Sequence, residues 1–301
     1  MHSSIAIVLL NWNGWAFTRP CLESLRLSGF AMEHIIVVDN GSEDGSADEI
    51  QRSFPTVQLI RNPINTGFTG GNNAGIQAAS AQGYAFVLLL NNDTEVSAGF
   101  WKPLLEEMDR YPDTGAVQPL IYFLHDKTKI WNAGGRYLSW LGISQTSYSL
   151  PGKAPYSTDW ITGCAFLVRS AVLEEVGLLD ERYFAYFEDV DWSLRIRKRG
   201  YRLKVVPESV IFHEAGAASK TKQPGKEGFL NPTIHYLNVR NQLFHLRKYG
   251  RHPVNWLSWP FHLIKFGLFM GYFTLRGRTA KRKAVLSGII DGLKFSLNEA
   301  K

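Results

Sequence analysis

The stretch "IAIVLLNWNGWAFTRPCLESLRLSGFAMEHIIVVDN", residues 5–40, decides the fold class. It sets one apolar, β-branched run (5–10) before a longer segment with helical spacing, and then a second apolar run (34–39). Runs this short and this continuously apolar are expected of strands covered on both faces, because a strand with one face in water alternates. "VQLI" (57–60) and "YAFVLLL" (84–90) repeat the pattern. The segments "RPCLESLRLS", "SADEIQRSF" and "GNNAGIQAASAQ" lie between the runs and are long enough for crossover helices. This alternation predicts an α/β fold with a mostly parallel, Rossmann-like sheet and helices on both faces.

Ligands of such sheets bind beyond the carboxyl ends of the strands. The residues there are Asn11 and Asn13 after the first run, Asp39 and Asn40 after the second, and Asn91, Asn92 and Asp93 after the fourth. Turn chemistry alone also favours Asn and Asp, so each one singly reads equally well as structural. Their convergence on one sheet edge points to a ligand site. The loop "NPINTGFTGGNNAG" (62–75) adds glycines at 67, 70, 71 and 75, which would let backbone approach a ligand closely. Its spacing is neither G-x-G-x-x-G nor G-x-x-x-x-G-K-[ST], so dinucleotide binding and P-loop hydrolysis lose support.

Composition narrows the class further. The 301 residues are 45% hydrophobic, enough for one large or two modest folded domains. Cys21 and Cys164 form no CxxC pair and read as reduced structural thiols of a cytoplasmic protein. The opening "MHSSIAIVLLNWNG" lacks a basic n-region, which suits a buried strand better than a secretory signal. Charge is uneven: residues 236–301 hold 12 Lys and Arg against 2 Asp and Glu, a net of +10, while residues 1–235 hold 21 against 25, a net of −4.

The chain resembles the inverting family 2 glycosyltransferases of GT-A fold, and within them the rhamnosyltransferase-like branch. The resemblance rests on "VLLNWNG", "IIVVDNGSEDGS", "NTGFTGGNNAGI", "VLLLNNDTEV", "GCAFLVRSAVLEEVGLLDERYFAYFEDVDW" and "VIFHE", six motifs in the family's order over about residues 5–215. It implies that Asp39 binds the nucleotide base, that Asn11 and Asn13 line the same pocket, and that Asn72 and Asn92 belong to the donor site. "NND" at 91–93 stands where the family carries its metal-binding D-x-D. Asn91 replaces the first aspartate, so Asp93 would hold a divalent cation directly, with His213 completing the shell. Mn²⁺ or Mg²⁺ would serve, and an imidazole nitrogen suits Mn²⁺ somewhat better.

The same reading explains the carboxylates of "YFEDVDW" (186–192). Sugar transfer from a nucleotide diphosphate needs stabilisation of the departing diphosphate and a base for the acceptor hydroxyl. Apolar or aromatic positions 187, 190 and 194 form a helical stripe that puts Glu188 and Asp189 in a first turn, where a helix N-terminus favours the ionised carboxylate. Asp189 is the expected base, in agreement with the family. Asp191, four residues before Arg195, is expected to form a helix-surface pair. Glu188 reads either as positioning the acceptor or as capping the helix.

The expected organisation is a catalytic domain over 1–216, with nucleotide-sugar binding in about 1–95 and the acceptor part in about 96–216. A mobile loop follows over 217–232, read either as a lid or as a linker, and basic, aromatic-rich helices occupy 233–301. Within the last, "WLSWPFHLIKFGLFMGYFTL" (256–275) is interrupted by Pro260, His262 and Lys265 and precedes "RGRTAKRK". That pattern argues for helices lying in a membrane interface with anionic lipid holding the basic stretch, against the alternative of helices packed on the catalytic domain. The expected protein therefore sits peripherally on the cytoplasmic face of the cell membrane, takes a dTDP- or UDP-sugar donor and a lipid-linked or glycan acceptor, and binds no nucleic acid. A nucleotidyltransferase is the rival from the same fold, and a non-catalytic scaffold, made thinkable by Asn91, the rival of another class.

Overall fold

A computed structural model describes residues 5–216, 220–225, 227–250, 257–294 and 296. The apolar runs become β1 (Ile5–Asn11), β2 (Ile35–Asn40), β3 (Gln58–Asn62) and β4 (Phe86–Asn91), and the segments between them become α1 (Trp15–Leu27), α2 (Ser46–Ser53) and α3 (Gly67–Ala81). After them come β5 (Thr94–Val96), α4 (Trp101–Arg110), β6 (Thr114–Phe123), β7 (Ile130–Asn132), β8 (Gly135–Leu138), β9 (Ile143–Thr146), β10 (Tyr156–Ser157), β11 (Ala165–Arg169), α5 (Ser170–Val176), α6 (Glu188–Lys198) and β12 (Arg202–His213). The remainder is β13 (Lys220–Gly225), β14 (Gly228–Leu230), α7 (Pro232–Tyr249), α8 (Ser258–Leu275) and α9 (Thr279–Lys294).

The main sheet runs β10-β12-β6-β11-β4-β1-β2-β3, with β5 on β12 and β7 on β6. Pairing is parallel from β4 through β1 and β2 to β3, and again between β6 and β12. Antiparallel β11, wedged between β4 and β6, makes the sheet mixed. The continuous apolar runs have the predicted cause. Ile5, Ile7 and Leu9 of β1 pack with Cys21, Leu22 and Leu25 of α1 on one face. Ala6 and Val8 pack with Ile76 and Ala79 of α3 and with Trp192 and Ile196 of α6 on the other. Each such aliphatic side chain, fully buried, contributes about 1.5–3 kcal/mol.

The glycines of the "NTGFTGGNNAG" loop have a packing role that the sequence reading assigned to ligand approach. A Cβ at Gly71 would strike Leu10 and one at Gly75 would strike Val8, so α3 can lie against β1 only with glycine at both. Gly67 opens α3 at φ +77, a left-handed conformation that glycine adopts without strain, and a Cβ there would collide with Phe184.

The chain divides into two compact units. One comprises residues up to 136, 146–184 and 188–215, and the other residues 137–145, 185–187 and 216 onward. The second unit has its own core of Val239, Leu243 and Leu246 from α7, Phe266 and Phe273 from α8 and Val285 from α9. A Cβ at Gly288 or Gly292 would meet Tyr236 O at 2.7 Å or Arg240 O at 2.8 Å, which is why α9 can press its backbone against α7. Asn231 caps α7 by accepting from Thr233 N at 2.9 Å, and Pro232, with no amide proton to leave unpaired, starts it. Of the expected loop, residues 217–219 and 226 lie outside the described residues, while 220–225 pairs with 228–230 as a short antiparallel ladder. Trp256 of the expected membrane segment also lies outside them. Among the described residues no helix is long and apolar enough to cross a membrane.

Candidate active site

The carboxyl ends of β1 and β2 are tied by one buried network. Asn11 is wholly buried. Its Nδ2 donates to Asp39 Oδ1 at 2.8 Å, Ser42 Oγ at 3.2 Å and Ser46 Oγ at 2.8 Å, while its Oδ1 accepts from Thr18 Oγ1 at 2.7 Å. Both side-chain polar atoms are thereby engaged within the protein, so Asn11 acts as the hub that orients Asp39. Asp39 Oδ2 accepts from Ser42 N at 3.1 Å. Asn13 lies exposed at φ +48, a left-handed conformation Asn tolerates, and its Oδ1 accepts from Glu43 N at 2.8 Å. Asn92 Nδ2 donates to Thr18 Oγ1 at 2.8 Å and so joins the same network. Asn72 is buried in α3 with its Nδ2 donating to Phe68 O at 2.8 Å. Thr18, Ser42 and Ser46 escaped the sequence reading because Ser and Thr at such places carry no pattern of their own.

Sheet pairing, not sequence proximity, brings Asp93 and His213 together. β5 pairs antiparallel with the end of β12, His213 opposite Thr94, and Glu214 N donates to Asp93 O at 3.0 Å. His213 Nε2 then lies 3.0 Å from Asp93 Oδ1, with the side chains 6% and 11% exposed. The Trp131 ring stands edge-on to the imidazole at 4.2 Å between centroids. His213 Nδ1 is buried without a hydrogen-bond partner among the described residues. This donor set fits a divalent cation. Adjacent ligands of an octahedral ion at about 2.1 Å stand about 3 Å apart, and one carboxylate with one imidazole leaves positions for diphosphate oxygens and water. Among the described residues no group of three or more His, Cys, Asp or Glu converges as a metal site, so Asp93 and His213 would be the protein's share of the shell.

Across the β4–β11 pairing from this point lies the carboxylate turn. Asn91 N donates to Cys164 O at 2.8 Å, and the residue before it, Gly163, donates its N–H to Asp189 Oδ2 at 3.0 Å. Asp189 Oδ1 accepts from Val190 N at 2.8 Å. A side chain at Gly163 would come within 3.1 Å of the Phe68 ring, which explains the glycine that the sequence reading quoted but left without a role. Burial drives the Cys164 thiol well above its ordinary value, and the charges of Asp93, Cys21 and Asp189 add to the rise.

Electrostatics at the start of α6 differ from the sequence expectation. The helix N-terminus was expected to keep Glu188 and Asp189 ionised, but burial outweighs it. Glu188 is pushed well above the ordinary carboxylate range by desolvation and then by the charges of Asp189 and Asp191, and its Oε2 has no partner among the described residues. Asp189 is raised less far, because amides of Gly163 and Val190 oppose its desolvation. Asp191 does pair with Arg195, at 2.8 Å, but its side chain is 0% exposed. The expected surface pair is therefore a buried one. Arg195 also donates to Val176 O and Leu178 O, both at 2.7 Å, and the Tyr183 hydroxyl donates to Asp191 Oδ1 at 3.4 Å. Breaking such a pair from one side costs about 3–5 kcal/mol, since the other charge stays buried.

The model of the family described as Glycosyl transferase family 2 matches residues 4–177, more than half of the chain. The chain belongs to that family. This glycosyltransferase is 27% identical over 237 residues, 71% of its own length and 76% of the relative's, to an N-acetylglucosaminyl-diphospho-decaprenol L-rhamnosyltransferase of Mycobacterium tuberculosis. It is 23% identical over 252 residues, covering 82% of this chain and 81% of the other, to the dTDP-rhamnosyl transferase RfbF of Shigella flexneri. Among solved structures it superposes on the mannosyltransferase PcManGT of Pyrobaculum calidifontis in complex with GDP-Man and Mn²⁺, with TM-score 0.60 and 12% identity over 97% of this chain and 88% of that one. A likeness at that identity shows the GT-A fold alone.

Proposed function

We propose that this glycosyltransferase moves L-rhamnose, with inversion, from dTDP-L-rhamnose to a hydroxyl of a lipid-linked or cell-surface glycan at an anionic membrane face. The observation that carries the reading is the half-buried Asp189, whose carboxylate is clipped by the Val190 amide and by the Gly163 amide just before β11, the strand that pairs with β4, after which Asp93 follows in the chain. The rhamnosyl relatives supply the donor. Asp39, oriented by Asn11, accepts the imide N–H of the base, a group that thymine and uracil share, so this contact alone does not separate dTDP from UDP. Asp93 and His213 would hold the divalent cation, which supplies charge neutralisation for the departing diphosphate. Asp189 takes the proton of the acceptor hydroxyl as its oxygen bonds to the anomeric carbon and the carbon–phosphate oxygen bond breaks. Desolvation makes the ionised Asp189 a stronger base than a solvated carboxylate.

The test is thermal unfolding with a panel of nucleotide sugars, with and without Mn²⁺. A ligand at 100 times its Kd stabilises by about 2.7 kcal/mol. The expected result is a rise in Tm for dTDP-L-rhamnose that depends on the cation. Protection by no nucleotide sugar would sink the donor reading, and protection by a UDP- or GDP-sugar alone would replace the donor.

The membrane part rests on α8. Ser258, His262, Phe266 and Phe273 face its own unit, while Leu257 just before it and Phe261, Ile264, Leu268, Tyr272 and Leu275 along it form a helical stripe of exposed apolar side chains. Arg276, Arg278, Arg282 and Lys283 follow. An apolar stripe ending in cations matches an anionic lipid surface, each Lys or Arg contributing about 1 kcal/mol near it. Vesicles of phosphatidylglycerol and phosphatidylethanolamine should co-sediment the protein, less at 0.5 M salt than at low salt but not to zero, as expected when apolar insertion adds to a screened charge term. Protein that stays in the supernatant at both salt concentrations refutes the assignment.

A further inference from the structure

The strained turn in front of the carboxylates carries an inference beyond the base and the cation. Phe184, Tyr186 and Phe187 adopt φ of +64, +71 and +74, three left-handed non-glycine residues within four positions, and Glu188 and Asp189 follow directly in the chain. Each costs about 1–2 kcal/mol, so the turn persists only where its surroundings enforce it. Residues 185–187 group with the second unit, and the grip on them comes from α7. Asn241 is fully buried, and its Nδ2 donates to Ala185 O at 2.7 Å and Tyr186 O at 2.8 Å, so its two amide protons serve two successive carbonyls. One helical turn on, the buried His245 ring lies 5.5 Å from the Phe187 ring, and its Nε2 is 2.9 Å from the Tyr137 hydroxyl.

We infer that Asn241 is a positioning residue: it holds the 185–187 turn from α7 and thereby sets the direction in which Asp189 leaves the turn. This rests on Asp189 being the base. It assigns a role in the reaction to a helix that lies beyond residues 4–177, the region shared with the family. The geometry requires a double donor. Aspartate in its place has the same shape and offers no N–H to either carbonyl, while carboxylate–carbonyl repulsion works against the turn.

The experiment compares N241D with Q242A in the full-length protein. Gln242 is the neighbouring buried residue, and its Nε2 donates to Gly142 O at 2.9 Å, so Q242A removes a buried hydrogen bond of α7 without touching the turn. N241D should lower kcat for dTDP-L-rhamnose by about 10–100-fold, the scale of a misplacement of about 1 Å, with KM changed less than about threefold. Amide hydrogen exchange should accelerate over residues 184–190 and stay unchanged in β1 and β4. Q242A should lose Tm and keep kcat. Equal kcat losses in both variants, or N241D exchange unchanged over 184–190, overturn the inference. Wild-type protein that binds the nucleotide sugar but transfers nothing would instead count against the transfer reading, and the exchange comparison would still decide whether Asn241 holds the turn.

Discussion

Asp189→Asn should lower kcat by about 10²–10⁴-fold while leaving the affinity for the nucleotide sugar within a few-fold of wild type. The substitution keeps the side chain's shape, and the Asn oxygen can still accept from the Gly163 amide, 3.0 Å away in the wild type, although its NH2 group then faces the Val190 N–H that Asp189 Oδ1 accepts at 2.8 Å. What it removes is the capacity to take a proton. A loss confined to kcat therefore reads on proton transfer, whereas a loss shared with donor binding would read on the site's architecture. The wild type should also show an acid limb. Burial raises Asp189 above its ordinary value, near 4 for a solvated aspartate, so its protonated form persists to higher pH. Activity should fall as pH drops through that raised value, and Asp189→Asn should flatten the limb in whatever turnover remains. Near-wild-type turnover in the variant would remove Asp189 from the mechanism.

Asp93→Ala and His213→Ala should each weaken cation-dependent binding of the nucleotide sugar, and the double variant should lose less than the sum of the two. Side chains that act through one shared ion are not independent, so the second deletion removes little that the first has left. The 3.0 Å contact between Asp93 Oδ1 and His213 Nε2 makes them neighbours in any case, which is why the cation dependence must be measured alongside. Calorimetric titrations with dTDP and Mn²⁺, and again with chelator, separate the cases. Additive losses, or binding indifferent to chelator, would leave the pair as a structural hydrogen bond and end the shared-cation assignment.

Much of this is legible in the amino-acid sequence. Strands covered on both faces carry unbroken apolar runs, and β1, β2 and β4 do so because α1 packs on one side and α3 and α6 on the other. The six ordered motifs indicated the family that the comparison then established. Asp191 was recognised as Arg195's partner because i and i+4 adjoin on any helix. Its burial was not legible, since that depends on Val176, Leu178 and Tyr183, which other elements bring in. The glycines at 71 and 75 read in the sequence as room for a ligand, and only the positions of Leu10 and Val8 show that α3 needs them to pack on β1.

Periodicity and motif order are properties of the chain alone, so the α/β alternation and the family follow from residue order, and Asp93, Asp189 and His213 stand as the proposed chemistry-bearing side chains. Tertiary structure decided what those side chains experience. Antiparallel β11 sets Gly163 beside Asp189, β5 on β12 sets Asp93 beside His213, and Asn241 reaches back 55 residues to the Tyr186 carbonyl. Desolvation also opposes, at Glu188, the ionised form that a helix N-terminus favours. The reason is common to all four: hydrogen-bond partners and solvent exclusion come from segments far apart in the chain, and local sequence carries no record of which segments the fold will bring into contact.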